Sequence, residues 1–120
     1  MAQMADRLKE VGALTRRLQK DFSRETTGFL NFLKEAESGE AISIKHKELI
    51  NVALSVAAQC EWCIAFHVRS AVRAGATRAE LVEAGFQAVI MHGGPAFMWL
   101  TPLLDAVDEF APAADPSASG

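Results

Sequence analysis

The chain has only two cysteines and three histidines in 120 residues, and no run of lysine or arginine. Each scarcity excludes something. With 12 Lys+Arg against 15 Asp+Glu and a net charge of −3, no basic field is available to hold a phosphate backbone, so nucleic acid is not an expected partner. Two cysteines cannot build a disulfide framework. A zinc site on them would need two further ligands from His46, His67, His92 or carboxylates, and no second C-x-x-C and no paired histidines exist to supply them. No metal is therefore expected. Sustained alternation of apolar and polar residues is missing, and no Asn-Gly or Asp-Gly marks a hairpin, which leaves no strand pattern. Solenoid-type repeats are also absent.

Long apolar runs are scarce and interrupted. Asp6, Arg7, Lys9 and Glu10 break up the start of the chain, so no signal peptide is read there and a cytoplasmic location is expected. The uncharged stretch Leu49–Gln59 is too short to cross a bilayer. Ala84–Leu104 reaches 21 residues, but Gln87, His92, Gly93, Gly94, Pro95 and Pro102 divide it, so it reads as buried helix, break, buried helix. No membrane association is expected.

What is present is apolar residues at helical spacing. Half the residues are hydrophobic, enough for one domain with a real core. Met4, Leu8, Val11, Leu14 and Leu18 recur at gaps of three and four and predict an amphipathic helix over 4–20. Ser23 is the expected N-cap of a second helix carrying Phe22, Phe29, Phe32 and Leu33, with Gly39 as its stop. Ser43 is the expected N-cap of a third helix running to about Gln59. From Val52 to Ala58 that helix is apolar nearly all round, which predicts full burial in the fold or in a subunit interface. A fourth helix spans Cys60–Ala74 and ends at Gly75. Thr77 and Glu80 form a capping box for a fifth, whose apolar face is Leu81, Ala84, Ala88, Val89 and Met91. Gly93-Gly94-Pro95 breaks the chain before a last helix through Trp99, Leu103, Val107 and Phe110, in which Pro102 predicts a kink or an early break. The expected fold is all-α, about six helices in a single domain over 1–110, with 111–120 (APAADPSASG) a disordered tail.

The chemistry concentrates in Glu48–His67. Cys60, Cys63 and His67 fall on one helical stripe, because i, i+3 and i, i+4 neighbours share a face. Two helical positions three apart place Cα atoms roughly 5 Å apart, within reach of a disulfide. A helix beginning near Cys60 would favour a thiolate there, and the thiolate is the nucleophile. His67 is placed one turn from Cys63 to take or return its proton. A carboxylate such as Glu48 could orient the imidazole, although twelve residues of separation from Cys60 do not themselves define a contact. The alternatives are two cysteines packed as small hydrophobes, a core histidine, and a surface carboxylate in the first turn of its helix. His46 and His92 read as structural or exposed. Trp62 walls the site or simply packs, and Glu61 and Arg69 are expected on solvated faces.

The run K-x-K-E-L-I-x-V-A-L, then C-E-W-C-I-x-x-H-x-x-x-A-x-x-A-G-A-T-x-x-E-L-x-E-A, and later G-G-P-A-F and L-L-D-A-V-D-E-F, resembles the carboxymuconolactone decarboxylase family over residues 40–110. It is most similar to the branch of alkyl hydroperoxide reductase D. The resemblance implies an all-helical subunit that assembles as a homotrimer or homohexamer. It implies that Glu48, Cys60, Cys63 and His67 are the catalytic residues, a proton relay beside a dithiol. The dithiol would reduce a peroxide or a disulfide substrate, with no resident cofactor and with an external dithiol protein or small molecule as reductant. Trp62 departs from that branch, which has histidine just before the second cysteine. Lactone decarboxylases of the family generally lack the paired cysteines. A lyase acting on a small cyclic acid through His67 and Glu48 is the alternative, and a non-catalytic oligomer that binds a metal or a partner through C-x-x-C is a third reading.

Overall fold

A computed structural model describes residues 3–111. Among them the chain forms seven helical segments and no strand: α1 (Gln3–Asp21), α2 (Ser23–Glu37), α3 (Ile44–Ala57), α4 (Glu61–Arg73), α5 (Arg78–His92), α6 (Gly94–Met98) and α7 (Leu100–Phe110). The expected all-α fold is observed. The expected disorder of the tail falls on residues 112–120, outside the described residues; Ala111 itself is buried at the end of α7. No helix among the described residues is long and apolar enough to cross a membrane.

The extra segment comes from the end of the chain. The break falls at Trp99 and not at Pro102. Pro102 is the third residue of α7, where backbone N–H groups have no intrahelical acceptor, so proline removes no hydrogen bond there. Other boundaries follow their caps. The Ser43 hydroxyl accepts from the His46 N–H, and Thr77 and Glu80 close a reciprocal capping box. Gly75, at φ +98°, turns the chain out of α4. Ser23 is a correction: it is the first residue of α2, Phe22 holds the cap position, and no side chain caps that helix.

α3 and α4 pack on each other, with α5 against α3 and α7 across α4 and α5. Val52, Val56, Ile64, Val68, Leu81, Leu103 and Val107 meet in the centre with no exposure. Each such side chain contributes roughly 1.5–3 kcal/mol relative to remaining in water. α5 and α7 approach closely at Gly85, where a Cβ would run into Leu103 and Leu100.

The start of α1 joins this core through Met4, and the Glu109 carboxylate accepts from the N–H groups of Met4 and Ala5 at 3.0–3.1 Å. Further along, the expected apolar stripe leaves the core, with Leu14 57% exposed. α2 has no buried residue, packs mainly on α1, and leaves Phe22, Phe29, Phe32 and Leu33 in the open. Two burial expectations fail in the single chain. Leu54 in the all-apolar part of α3 is 59% exposed, and Met91 in α5 is 80% exposed. Both lie on faces that no other helix among the described residues covers.

Candidate active site

The site is built at the junction of α3 and α4. α3 ends when Gln59 adopts a left-handed backbone, φ 56°, and the Cys60 N–H reaches back to the Ser55 carbonyl at 3.2 Å. This is the six-to-one bond that closes a helix C-terminus, here with glutamine where glycine is usual. The reversal makes Cys60 the N-cap of α4, and its Sγ accepts from the Cys63 N–H at 3.1 Å. Cys60 and Cys63 are joined as a disulfide with Cα atoms 5.2 Å apart, matching the spacing expected of helical neighbours. Reduction would leave the Cys60 sulfur at the positive end of α4, facing an N–H it already accepts from.

His67 and Glu48 meet across the two helices. Nδ1 of His67 is 2.8 Å from Oε2 of Glu48. Glu48 lies in the second turn of α3 and its side chain is only 11% exposed, so the first-turn surface reading does not hold. A neutral imidazole donating Nδ1–H to this carboxylate leaves Nε2 as the basic nitrogen. The edge of Phe66 stands against the imidazole, with ring centroids 5.2 Å apart and planes at 81°. His46 and His92 lie apart from this pair, His92 on an exposed helix end and His46 in the first turn of α3. Among the described residues no cluster of three or more His, Cys, Asp or Glu could hold a metal.

Two residues expected in solvent are engaged. The Arg69 guanidinium lies 5.9 Å from the Phe66 ring, with its Nε enclosed. Glu61 meets Arg7 of α1, which also stands over Trp62. Arg7 and Gln59 are the residues that sequence reasoning missed. Arg7 is 53 positions before Cys60 and carries no local signal. Gln59 does carry one: it sits where the periodicity of α3 must stop, next to the first cysteine.

The family model described as the carboxymuconolactone decarboxylase family matches residues 24–106. Two relatives are similar over 68% of this chain and 73% of their own length. One is an uncharacterized protein of the cox locus of Paracoccus denitrificans, 37% identical over 81 residues. The other is an uncharacterized protein of Cupriavidus necator, 35% identical over 82 residues. A crystal structure of an apo carboxymuconolactone decarboxylase family protein from Legionella pneumophila superposes with a TM-score of 0.88 at 36% identity, covering 93% of this chain and all of that one.

Proposed function

This chain belongs to the carboxymuconolactone decarboxylase family, and from that premise we propose that it is a thiol-dependent peroxidase or disulfide reductase of the branch resembling alkyl hydroperoxide reductase D. One observation carries the reading: a C-x-x-C pair already joined as a disulfide at the start of α4, on the helix whose His67 is held by Glu48. Family membership alone is compatible with decarboxylation, whereas a redox-competent cysteine pair serves no step of it.

The reaction runs in three steps. A thiolate attacks the distal peroxide oxygen; the O–O bond breaks, sulfur becomes a sulfenic acid, and the leaving alkoxide takes a proton. The second cysteine displaces hydroxide from that sulfur, giving the Cys60–Cys63 disulfide and water. An external dithiol then reduces the bridge by two exchanges and is itself oxidised to a disulfide. His67 removes the thiol proton and returns one to the leaving oxygen, while Glu48 holds the tautomer and steadies the imidazolium. His67 lies one turn beyond Cys63, which favours Cys63 as the attacking thiol; the N-cap position favours Cys60. The protein acts in the cytoplasm, where thiols are kept reduced. It works as a homotrimer or homohexamer, supported by the apolar side chains that α1, α2, α3 and α5 leave uncovered.

The test is peroxide consumption by the purified protein with a small dithiol, beside a Cys63→Ser variant. Turnover that depends on the dithiol and disappears in the variant supports the proposal; wild-type rates in Cys63→Ser sink it. The second reading, a lyase acting on a small cyclic acid, is favoured by the His67–Glu48 contact, which does not involve sulfur. It requires lactone turnover that survives replacement of both cysteines.

A further inference from the structure

Arg7 of α1 grips both residues that separate the cysteines. Its Nε lies 3.6 Å from Oε1 of Glu61, and its guanidinium carbon lies 5.6 Å from the centroid of the Trp62 ring. The Nε is enclosed and has no hydrogen-bond partner, while the side chain as a whole is half-buried and its other end pairs with Glu10. Its pairing with Glu10 on the same helix, and more weakly with Glu61, raises its pKa above the ordinary arginine value, and the group stays charged throughout the working range. Arg7 lies outside the segment matched by the family model, which begins at residue 24.

We propose that Arg7 is a positioning residue for the dithiol: it compensates Glu61 and anchors Trp62, and so keeps the first turn of α4 a place where a thiolate can form. The inference rests on reading the cysteine pair as a redox dithiol.

The argument is one of charge. Glu61 is the first residue of α4, directly beside Cys60. A carboxylate there enjoys the same helix N-terminus that would stabilise a thiolate, and its own field opposes the thiolate. Among the described residues, Asp105 of α7 shares a groove with Glu61, Glu10 of α1 pairs with Arg7, and further along α4 lie His67, paired with Glu48 of α3, and Arg69, against Phe66. Of these groups, Arg7 is the cation that meets Glu61 itself. Removing it leaves the Glu61 carboxylate beside Cys60 without this ion-pair partner, so both thiols hold their protons to higher pH. The guanidinium over the ring also holds the indole of Trp62, which stands between the two cysteines in sequence, where a loose Trp62 would let the first turn of α4 fray.

The experiment is the rate of iodoacetamide alkylation of the reduced protein against pH, for wild type, Arg7→Ala, Arg7→Lys and the double variant Arg7→Ala/Glu61→Gln. Thermal unfolding of each sample checks the fold. Arg7→Ala is expected to move the alkylation midpoint upward and to slow the reaction at neutral pH by roughly three-fold, the scale of a partly exposed charge pair. Arg7→Lys, which keeps the charge, recovers most of the rate. Glu61→Gln in the Arg7→Ala background restores it, which a purely structural role for Arg7 would not produce. An Arg7→Ala profile that superimposes on wild type overturns the proposal. So does a slowed profile that is corrected neither in the Arg7→Lys variant nor by removal of the Glu61 charge. If Arg7→Ala does not fold, Glu61→Gln alone decides: its midpoint moves downward, and an unmoved midpoint overturns the proposal. Alkylation needs no peroxide, so this result is independent of whether the peroxidase assay succeeds.

Discussion

Oε2 of Glu48 and Nδ1 of His67 lie 2.8 Å apart although 19 residues separate them in the chain. The pairing exists because the left-handed turn at Gln59 folds α4 back along α3. It joins two side chains distant in sequence into one hydrogen-bonded pair.

Glu48→Gln keeps the volume and one hydrogen bond but removes the charge that steadies an imidazolium. Turnover in the peroxide–dithiol assay is expected to fall by roughly ten-fold or more, the scale of a lost general acid–base contribution. The melting temperature should change little. An unchanged rate would reduce Glu48 to a buried structural carboxylate.

Gln59 occupies a left-handed backbone position that costs a side-chain-bearing residue roughly 1–2 kcal/mol. Gln59→Gly should relieve this strain. After the entropy that glycine adds to the unfolded chain, a net gain of about 0.5–1 kcal/mol in urea unfolding is expected. A loss of stability would mean that the glutamine side chain makes a contribution larger than the strain.

Gly85 is buried where α5 crosses α7. Gly85→Ala places a methyl group against Leu100 and Leu103 and forces them apart. Destabilisation of about 1–3 kcal/mol is expected, in spite of alanine's better helix propensity. A stabilised variant would show that the two leucines can repack freely.

The Glu80 carboxyl is held below its ordinary value of 4.5, first by the Thr77 N–H in the capping box and then by Lys45. A depressed folded-state pKa contributes stability that is fully present above the unfolded value and is lost as pH falls through the folded one. Wild type should therefore lose melting temperature as pH drops below about 4.5. Glu80→Gln, which can still complete a capping box, should melt lower at neutral pH and show a shallower acid decline. Parallel pH profiles for the two would contradict this.

Phe29 and Phe32 stand 60% and 64% exposed on a helix with no buried residue. If they meet another subunit, Phe29→Ser/Phe32→Ser should lower the molecular mass measured by light scattering while the helical circular dichroism stays intact. An unchanged mass would exclude these two side chains from any subunit interface and leave the α3–α5 face, where Ile50 and Leu54 are exposed beside an apolar groove of about 620 Å³, as the next to test.

The helices were legible because their signals are local. Ser43, the Thr77–Glu80 box and Gly75 each act within one turn, and a residue's preference for a cap or a left-handed turn is written in its own chemistry. Cys60, Cys63 and His67 share α4 or its cap, so their register follows from helical geometry and was readable before any fold. Pro102 misled because proline's effect depends on its distance from the helix start, and Trp99 moved that start. Ser23 misled because a capping residue type is not a cap until the backbone bends there.

By itself the sequence determined an all-helical chain and the spacing that brings Cys60 and Cys63 together with His67 one turn beyond. Only the tertiary structure decided that Glu48 reaches His67, that Arg7 sits on Glu61 and Trp62, and which apolar faces α1, α2 and α5 leave uncovered. The reason is range. Hydrogen bonds within a turn are fixed by neighbouring residues, whereas contacts between helices depend on how several apolar faces find one common core, and no single stretch of sequence carries that arrangement.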